Sequence, residues 1–365
     1  MTEKPPATRP AEGGSPPAGP HPYTGLTPDV VLDALDGAGF HGDGRLLSLN
    51  SYENRVYQVW LDGPPAGAAA LRQTRPGVAE SVVAKFYRPE RWTDAQIEEE
   101  HAFVAELAAR ELPVVAPLAL DGGGTLARHG GFRFAVYPRR GGRAPELEDR
   151  ETLKWMGRFL GRIHAVGALH TFAARPELDI ENFGYEPCDW LLDNGFIPED
   201  LEDAWTSIAQ QALEGIEGCF ERAGEVVRLR LHGDCHAGNV LWTERDEKAN
   251  TGGPHFVDFD DARMGPAIQD LWMLVSGQQE VMARQFRDLL TGYEAFHDFN
   301  LAELHLIEAL RTLRLLHYSA WIARRWEDPA FPAAFPWFNT QRYWQDRVLE
   351  LREQVALMEE PPPRI

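Results

Sequence analysis

Asp234 and Asn239 stand five positions apart in the run His232-Gly233-Asp234-Cys235-His236-Ala237-Gly238-Asn239, and Asp258 follows nineteen positions after Asn239. These side chains suit phosphoryl transfer. That reaction needs a carboxylate to accept the proton of the acceptor hydroxyl and oxygen ligands to hold Mg²⁺ against the phosphates of ATP, the protein mainly positioning groups and neutralising charge. Asp234 is the candidate base. Asn239 and Asp258 are the candidate metal ligands, because Mg²⁺ is a hard cation that takes few protein oxygens beside those of phosphate. Taken singly, Asp234, Asp258, Asp260 and Asp261 read equally as solvated turn acids. Likewise His232, Cys235 and His236 are side-chain types that bind Zn²⁺. Their ordered spacing weighs against the first alternative, and the lack of a second ligand cluster weighs against the second. His232 is expected to pack beneath the loop, and His236 either to touch phosphate or acceptor or to shape the loop.

These residues need elements to position them. Asn239 to Trp242 reads as a short strand, Thr243 to Pro254 as a connection, and His255 to Asp258 as a second strand. Pairing Val240 with Val257 would set Asn239 opposite Asp258, so that two oxygen ligands converge. The D-x-x-x-x-N interval matches a kinase catalytic loop, and Asp258-Phe259-Asp260 takes the place of D-F-G. Gly233 replaces the Arg that usually precedes the base.

A cation for the phosphates is expected on an earlier strand, and Ser81 to Tyr87 places Lys85 there, with Val83-Ala84-Lys85 like the V-A-I-K strand. An ammonium in an apolar strand requires an anion. Thr93 to Arg110 reads as a helix capped by Thr93, whose apolar face carries Ile97, Val104 and Leu107. Glu100 falls on that face and is the expected partner of Lys85, with Glu99 as the alternative. Upstream, Ser51-Tyr52-Glu53-Asn54 forms a polar turn between apolar runs in the position of a nucleotide loop. It holds no glycine, so the Ser51 hydroxyl and the backbone from Tyr52 to Asn54 would have to meet phosphate. Gly131 to Tyr137 reads as another strand, and Pro138 to Arg143 as a bend, which composition allows equally to be an interlobe hinge with backbone for adenine or a plain linker.

With these parts in order, the chain resembles the aminoglycoside phosphotransferase and choline kinase superfamily, relatives of the protein kinases, and within it a bacterial stress-response branch of serine/threonine kinases. The resemblance rests on Ser51 to Tyr57, Lys85 to Trp92, Leu231 to Trp242, Val257 to Leu274 and Trp326 to Pro332, and runs from about Tyr23 to Pro362. It implies an α+β, two-lobed kinase-like fold, with Asp234 as proton acceptor, Asn239 and Asp258 on Mg²⁺, and Ser51 at the ATP phosphates. It further implies a cytoplasmic monomer acting on Ser or Thr of proteins. A small-molecule kinase and a non-catalytic nucleotide-binding scaffold are the competing functions. Asp260 departs from the D-F-G glycine, and too few residues follow Asp261 for a long activation segment.

Of the 365 residues, 44% are hydrophobic, enough for a sizeable core. The formal charge of −20 argues against general nucleic-acid binding and suits a basic protein segment or a cationic small acceptor. No run of about 18 apolar residues marks a membrane span. Three cysteines without C-x-x-C spacing fit reduced thiols in the cytosol, Cys235 being read as a bystander. The Pro- and Gly-rich residues 1–22 read as a disordered tail, 23–138 as a nucleotide-binding lobe, 139–149 as a hinge, and 150–365 as a helical lobe carrying the catalytic loop. Asp62 to Glu80 reads as an insertion. In the last part, Leu315, Leu316, Tyr318, Trp321 and Trp326 read chiefly as core, with the lining of the acceptor pocket as the alternative for some of them.

Overall fold

The computed structural model describes residues 21–63, 80–246 and 251–365. The predicted tail, except for its last two residues, and most of the predicted insertion lie outside the described residues.

The chain enters through α1 (Pro28–Gly37), which Thr27 caps by accepting from Val30 N and which buries Val31, Ala34 and Leu35. Next comes an antiparallel sheet of β1 (Gly42–Leu49), β2 (Arg55–Leu61), β3 (Ser81–Phe86), β4 (Ala127–His129) and β5 (Phe132–Pro138), ordered β1-β2-β3-β5-β4. Lys85 lies in the third strand, between Val56 and Ala135. Between β3 and β4 runs α2 (Asp94–Ala109), opened by a reciprocal capping box of Thr93 and Gln96. Its inner face buries Ile97, Glu100, Phe103, Val104 and Leu107. Phe103, Val104 and Leu107 belong to the large core of the second lobe, so α2 joins the two.

From Arg150 onward helices dominate: α3 (Arg150–Gly167), α4 (Glu186–Asp193) and α5 (Glu202–Ala223). Leu153, Met156, Leu160 and Ile163 form the buried stripe of α3 that their spacing predicts. Two short antiparallel ladders follow. In one, β6 (Leu229–Leu231) pairs with β9 (Arg263–Gly265), and in the other, β7 (Val240–Asp246) pairs with β8 (Thr251–Phe256). The remaining helices are α6 (Ile268–Trp272), α7 (Gln279–Tyr293), α8 (Ile307–Ala323), α9 (Ala330–Ala334) and α10 (Gln341–Glu359). The pair α3 and α7 packs backbone against backbone at Gly157, where a Cβ would lie 1.9 Å from Leu289 O. No described helix is long and apolar enough to cross a membrane.

The hairpin expectation needs correction. The β7–β8 register sets Val240 opposite Phe256, not Val257, and Asn239 O accepts from Val257 N (3.0 Å). Asp258 therefore lies beyond the ladder, and strand alternation does not aim its side chain. The aromatic stripe also divides: Leu316 is buried in the core, whereas Tyr318 and Trp321 line the cleft between the lobes.

Candidate active site

The loop from His232 to Asn239 leaves β6 and is held from below by α6. Asp270, fully buried, accepts from His232 N (2.8 Å), Gly233 N (2.9 Å) and His164 Nε2 (3.1 Å). Gln269 donates to Gly233 O (2.9 Å). Gly233 has φ +87°, and a Cβ there would stand 2.0 Å from Asp261 O, which explains why no Arg precedes Asp234. His232 packs beneath the loop as predicted: its ring lies 4.4 Å from that of Phe259, and Nε2 meets Val257 O at 2.9 Å. Both its ring nitrogens face backbone atoms, Nδ1 accepting from Asp234 N (3.4 Å), and this removes the Zn²⁺ alternative. Cys235 is buried, and burial together with Asp270 and Asp234 pushes its thiol pKa well up, as befits an inert thiol.

The same scaffold carries a pH dependence. Glu303 accepts from Ile268 N (2.9 Å) at the start of α6, and burial raises its carboxyl from 4.5 to about 7. A carboxyl raised on folding binds more protons in the native chain, so its contribution is complete below pH 4.5 and is lost as pH rises through about 7. Glu303→Gln keeps an acceptor for Ile268 N and removes the titration. Its thermal midpoint is therefore expected to fall less than that of the parent between those pH values, as differential scanning fluorimetry would read; parallel curves would refute the assignment.

Asn239 donates from Nδ2 to Asp234 O (2.9 Å), which orients the amide and leaves Oδ1 as its remaining acceptor. Asp258 adopts a left-handed backbone (φ 60°, ψ 63°), rare for a residue with a side chain, and its carboxylate is 54% exposed. Opposite, Lys85 Nζ lies 2.9 Å from Asp258 Oδ1 and 3.0 Å from Asp260 Oδ1. Burial by itself lowers the Lys85 pKa, yet Asp258, Asp260 and Glu100 together carry it well above the ordinary value.

Glu100 faces inward, but its ion-pair partner is Arg175 Nη2 (3.0 Å), not Lys85. The physical reason is Asp260. Standing where the D-F-G glycine would be, it puts a second carboxylate against Lys85, while Arg175 holds Glu100 and also donates to Asp260 O (2.8 Å). Glu99, the alternative, instead accepts from Ala173 N, Ala174 N and Arg175 N at 2.7 to 2.9 Å. Burial pushes the Glu100 carboxyl up, against the lowering charges of Lys85 and Arg175.

The glycine-free β1–β2 turn is held by side chains. Glu53 is buried; its carboxylate accepts from Trp321 Nε1 (2.6 Å), and Arg325 Nε lies 3.0 and 2.8 Å from its two oxygens. Asn54 donates to Asp260 Oδ2 (3.2 Å), and the Tyr52 ring lies 5.0 Å from Phe335. Thus the turn that carries Ser51 is tied to α8 of the other lobe.

The lobes enclose a cleft of about 720 Å³. Ser51, Lys85, Glu100, Asp234, Asn239 and Asp258 all line it. Apolar walls come from Leu49, Val56, Val83, Val115, Leu241 and Val257, a shape suited to a flat ring. At the Asp234 end, Arg314 Nη1 donates to Asp234 Oδ1 (2.6 Å), and His236 Nε2 lies 3.5 Å from Oδ2. Burial raises the Asp234 pKa, but His236 and Arg314 outweigh it and hold the carboxyl well below its usual range. Sequence reasoning missed Arg314, Arg175, Asp270 and Glu53. For Arg314 a signal existed: an Arg set among Leu310, Leu313, Leu315 and Leu316.

A small antiparallel lobe over a helical lobe, with these side chains facing one cleft, is the kinase-like fold. The phosphotransferase enzyme family model matches residues 46–307, and the chain belongs to that family. Within it the chain is similar to stress response kinase A of Escherichia coli K12, 42% identical over 337 residues, which are 92% of this chain and 95% of the relative. It is similarly close, at 41% over the same shares, to the serine/threonine protein kinase RdoA of Salmonella typhimurium LT2. Among solved structures, an amicoumacin kinase bound to AMP-PNP, Ca²⁺ and Ami shares the fold at 17% identity, TM-score 0.66, over 92% of this chain and 94% of that one. A microcompartment-associated aminopropanol kinase does so at TM-score 0.65 and 17% identity, over 91% and 96%.

Proposed function

We propose that the protein is a Mg²⁺- and ATP-dependent kinase that transfers the γ-phosphoryl group to Ser and Thr hydroxyls of proteins. The observation that carries this reading is the meeting, around one cleft, of Lys85, Asp234, Asn239 and Asp258 under the turn bearing Ser51. The relatives named as stress-response and serine/threonine kinases supply the acceptor class. In this reading the apolar walls hold the adenine, and the Ser51 hydroxyl with the backbone of Tyr52 to Asn54 meets the phosphates. Lys85 turns its ammonium to a phosphate oxygen while keeping Asp260 as counter-ion. Asp234 takes the acceptor's proton on a carboxylate oxygen as the new P–O bond forms and the bond from the γ-phosphorus to the β,γ-bridging oxygen breaks, with ADP leaving.

The donor set fits Mg²⁺. The exposed Asp258 carboxylate and the Asn239 Oδ1 left over by the Nδ2 bond are two hard oxygens at the cleft, and no third carboxylate is required of the protein when phosphates complete the sphere. When bound, Mg²⁺ supplies charge neutralisation for the phosphates. The kinase is further read as a cytosolic monomer without nucleic-acid partners, in keeping with three free, buried cysteines.

The second reading, a small-molecule kinase, is favoured by the short stretch from Asp261 to α6, occupied by β9 and offering no long activation segment. Labelled ATP, offered to a mixture of unfolded polypeptides and to amino alcohols and aminoglycosides, separates them. Phosphoserine or phosphothreonine is the expected product. Label confined to small molecules would establish the second reading instead.

A further inference from the structure

The acceptor end of the cleft has an uncommon distribution of charge. Its carboxylates are already paired: Asp234 with Arg314, Asp261 with Arg91 (2.9 Å) and Arg263 (2.7 Å), and Glu53 with Arg325. Deeper in, Asp258 and Asp260 share Lys85, and Glu100 holds Arg175. An acceptor bearing an ammonium would thus enter a site whose anions are taken, and a desolvated cation without an anion is costly. Arg314 is the opposite case. Its side chain is 43% exposed and makes one hydrogen bond among the described residues, from Nη1 to Asp234, whereas a guanidinium carries five N–H donors in a planar fork that matches carboxylate or phosphate. His317 beside it adds no charge, since burial and the neighbouring Arg263 keep its imidazole neutral.

Resting on the protein-kinase reading, we propose that Arg314 is a specificity residue which binds an anionic group, a carboxylate or a phosphate monoester, next to the acceptor hydroxyl, so that this kinase selects acidic rather than basic segments. On engagement the guanidinium turns from Asp234 to the acceptor's anion, which seats the hydroxyl beside Asp234 and frees the carboxylate oxygen that must receive its proton. The net charge of the whole chain points to a basic partner, but exposed charges farther off than about 8 Å are largely screened. At the point of transfer the local cation decides.

Three peptides test this, identical around one Ser and differing in a single flanking residue: Glu, phosphoserine or Lys. With the full-length protein and Mg-ATP, kcat/KM is expected to be at least about tenfold higher for the anionic peptides, chiefly through KM, and Arg314→Glu should shrink or invert that ratio. Because the ratio is taken within each variant, a general loss of activity does not obscure it. Preference for the Glu peptide alone assigns a carboxylate, and for the phosphoserine peptide alone a phosphate. A parent enzyme that favours the Lys peptide, or a ratio untouched by Arg314→Glu, overturns the inference and leaves the protein-kinase reading intact. No transfer to any of the three overturns that reading and the inference with it.

Discussion

Asp234→Asn is expected to lower kcat for phosphoryl transfer by about 10²- to 10⁴-fold, the range typical for loss of a positioned base, while the affinity for a non-hydrolysable ATP analogue stays within about twofold. The substitution is close to isosteric. The structural bond to this residue uses its backbone oxygen, which accepts from Asn239 Nδ2, so the neighbouring amide keeps its orientation. What is lost is the negative charge between Arg314 and His236. Those partners hold the parent carboxyl well below its usual range against the raising effect of burial, so Asp234 is ionised throughout the neutral range. An acid limb in the kcat profile near pH 6 must then come from another group. Single-turnover assays with labelled ATP, run beside analogue titrations, measure both quantities. A decrease in kcat smaller than about tenfold would remove Asp234 from the role of base.

The lobes are joined through side chains. A glycine-rich turn approaches phosphate through bare backbone, whereas here Glu53, buried and bonded to Trp321 and Arg325, clamps the turn onto α8. The same helix carries Arg314, so one face of α8 meets both the β1–β2 turn, through Trp321, and Asp234, through Arg314. Asp260 is the second joint. It receives Asn54 from the turn, Arg91 from the segment before α2, and Lys85 from β3. A glycine in its place would leave Lys85 and Arg91 with one carboxylate fewer, and the departure from D-F-G is compensated by this network.

Much of the site was legible in the sequence because its signals are local. Lys85 is a charge inside an apolar strand, Asp234 and Asn239 share one loop, and Asp258 closes a short apolar run. The helical phase also turned Glu100 inward correctly. Its partner was not legible, since Arg175 lies 75 residues away and local periodicity says nothing about which cation arrives there. The hairpin register failed by one residue for a related reason. Alternation presumes extended backbone up to Asp258, but the ladder ends at Phe256 and Asp258 turns into a left-handed conformation. For Tyr318 and Trp321 core and cleft both stayed open, because an aromatic on a helix looks the same from the sequence whether it faces packed side chains or a cleft.

Asp270→Ala is expected to cost about 3–5 kcal/mol of stability and to abolish transfer even in the fraction that remains folded. Asp270 was not among the residues that spacing singled out, and it touches neither proposed metal ligand nor base. Yet its two oxygens receive the backbone N–H groups of His232 and Gly233 and the ring of His164, all three residues buried. Removing the carboxylate strands these donors without water, at about 1–3 kcal/mol for each unsatisfied group. Gly233 has little room to shift, because Asp261 O lies only 2.0 Å from where a Cβ would stand on it. The loop must therefore lose its shape or the lobe its packing. Asp270→Asn retains one carbonyl acceptor but turns an NH₂ toward a backbone N–H, so an intermediate loss is expected. Chemical denaturation gives the stability, and amide exchange at His232 and Gly233 shows whether the loop opens before the lobe does. Unchanged midpoint and protected amides in Asp270→Ala would mean that the Asp270 carboxylate does not hold the loop, and that Gln269 and His232 suffice.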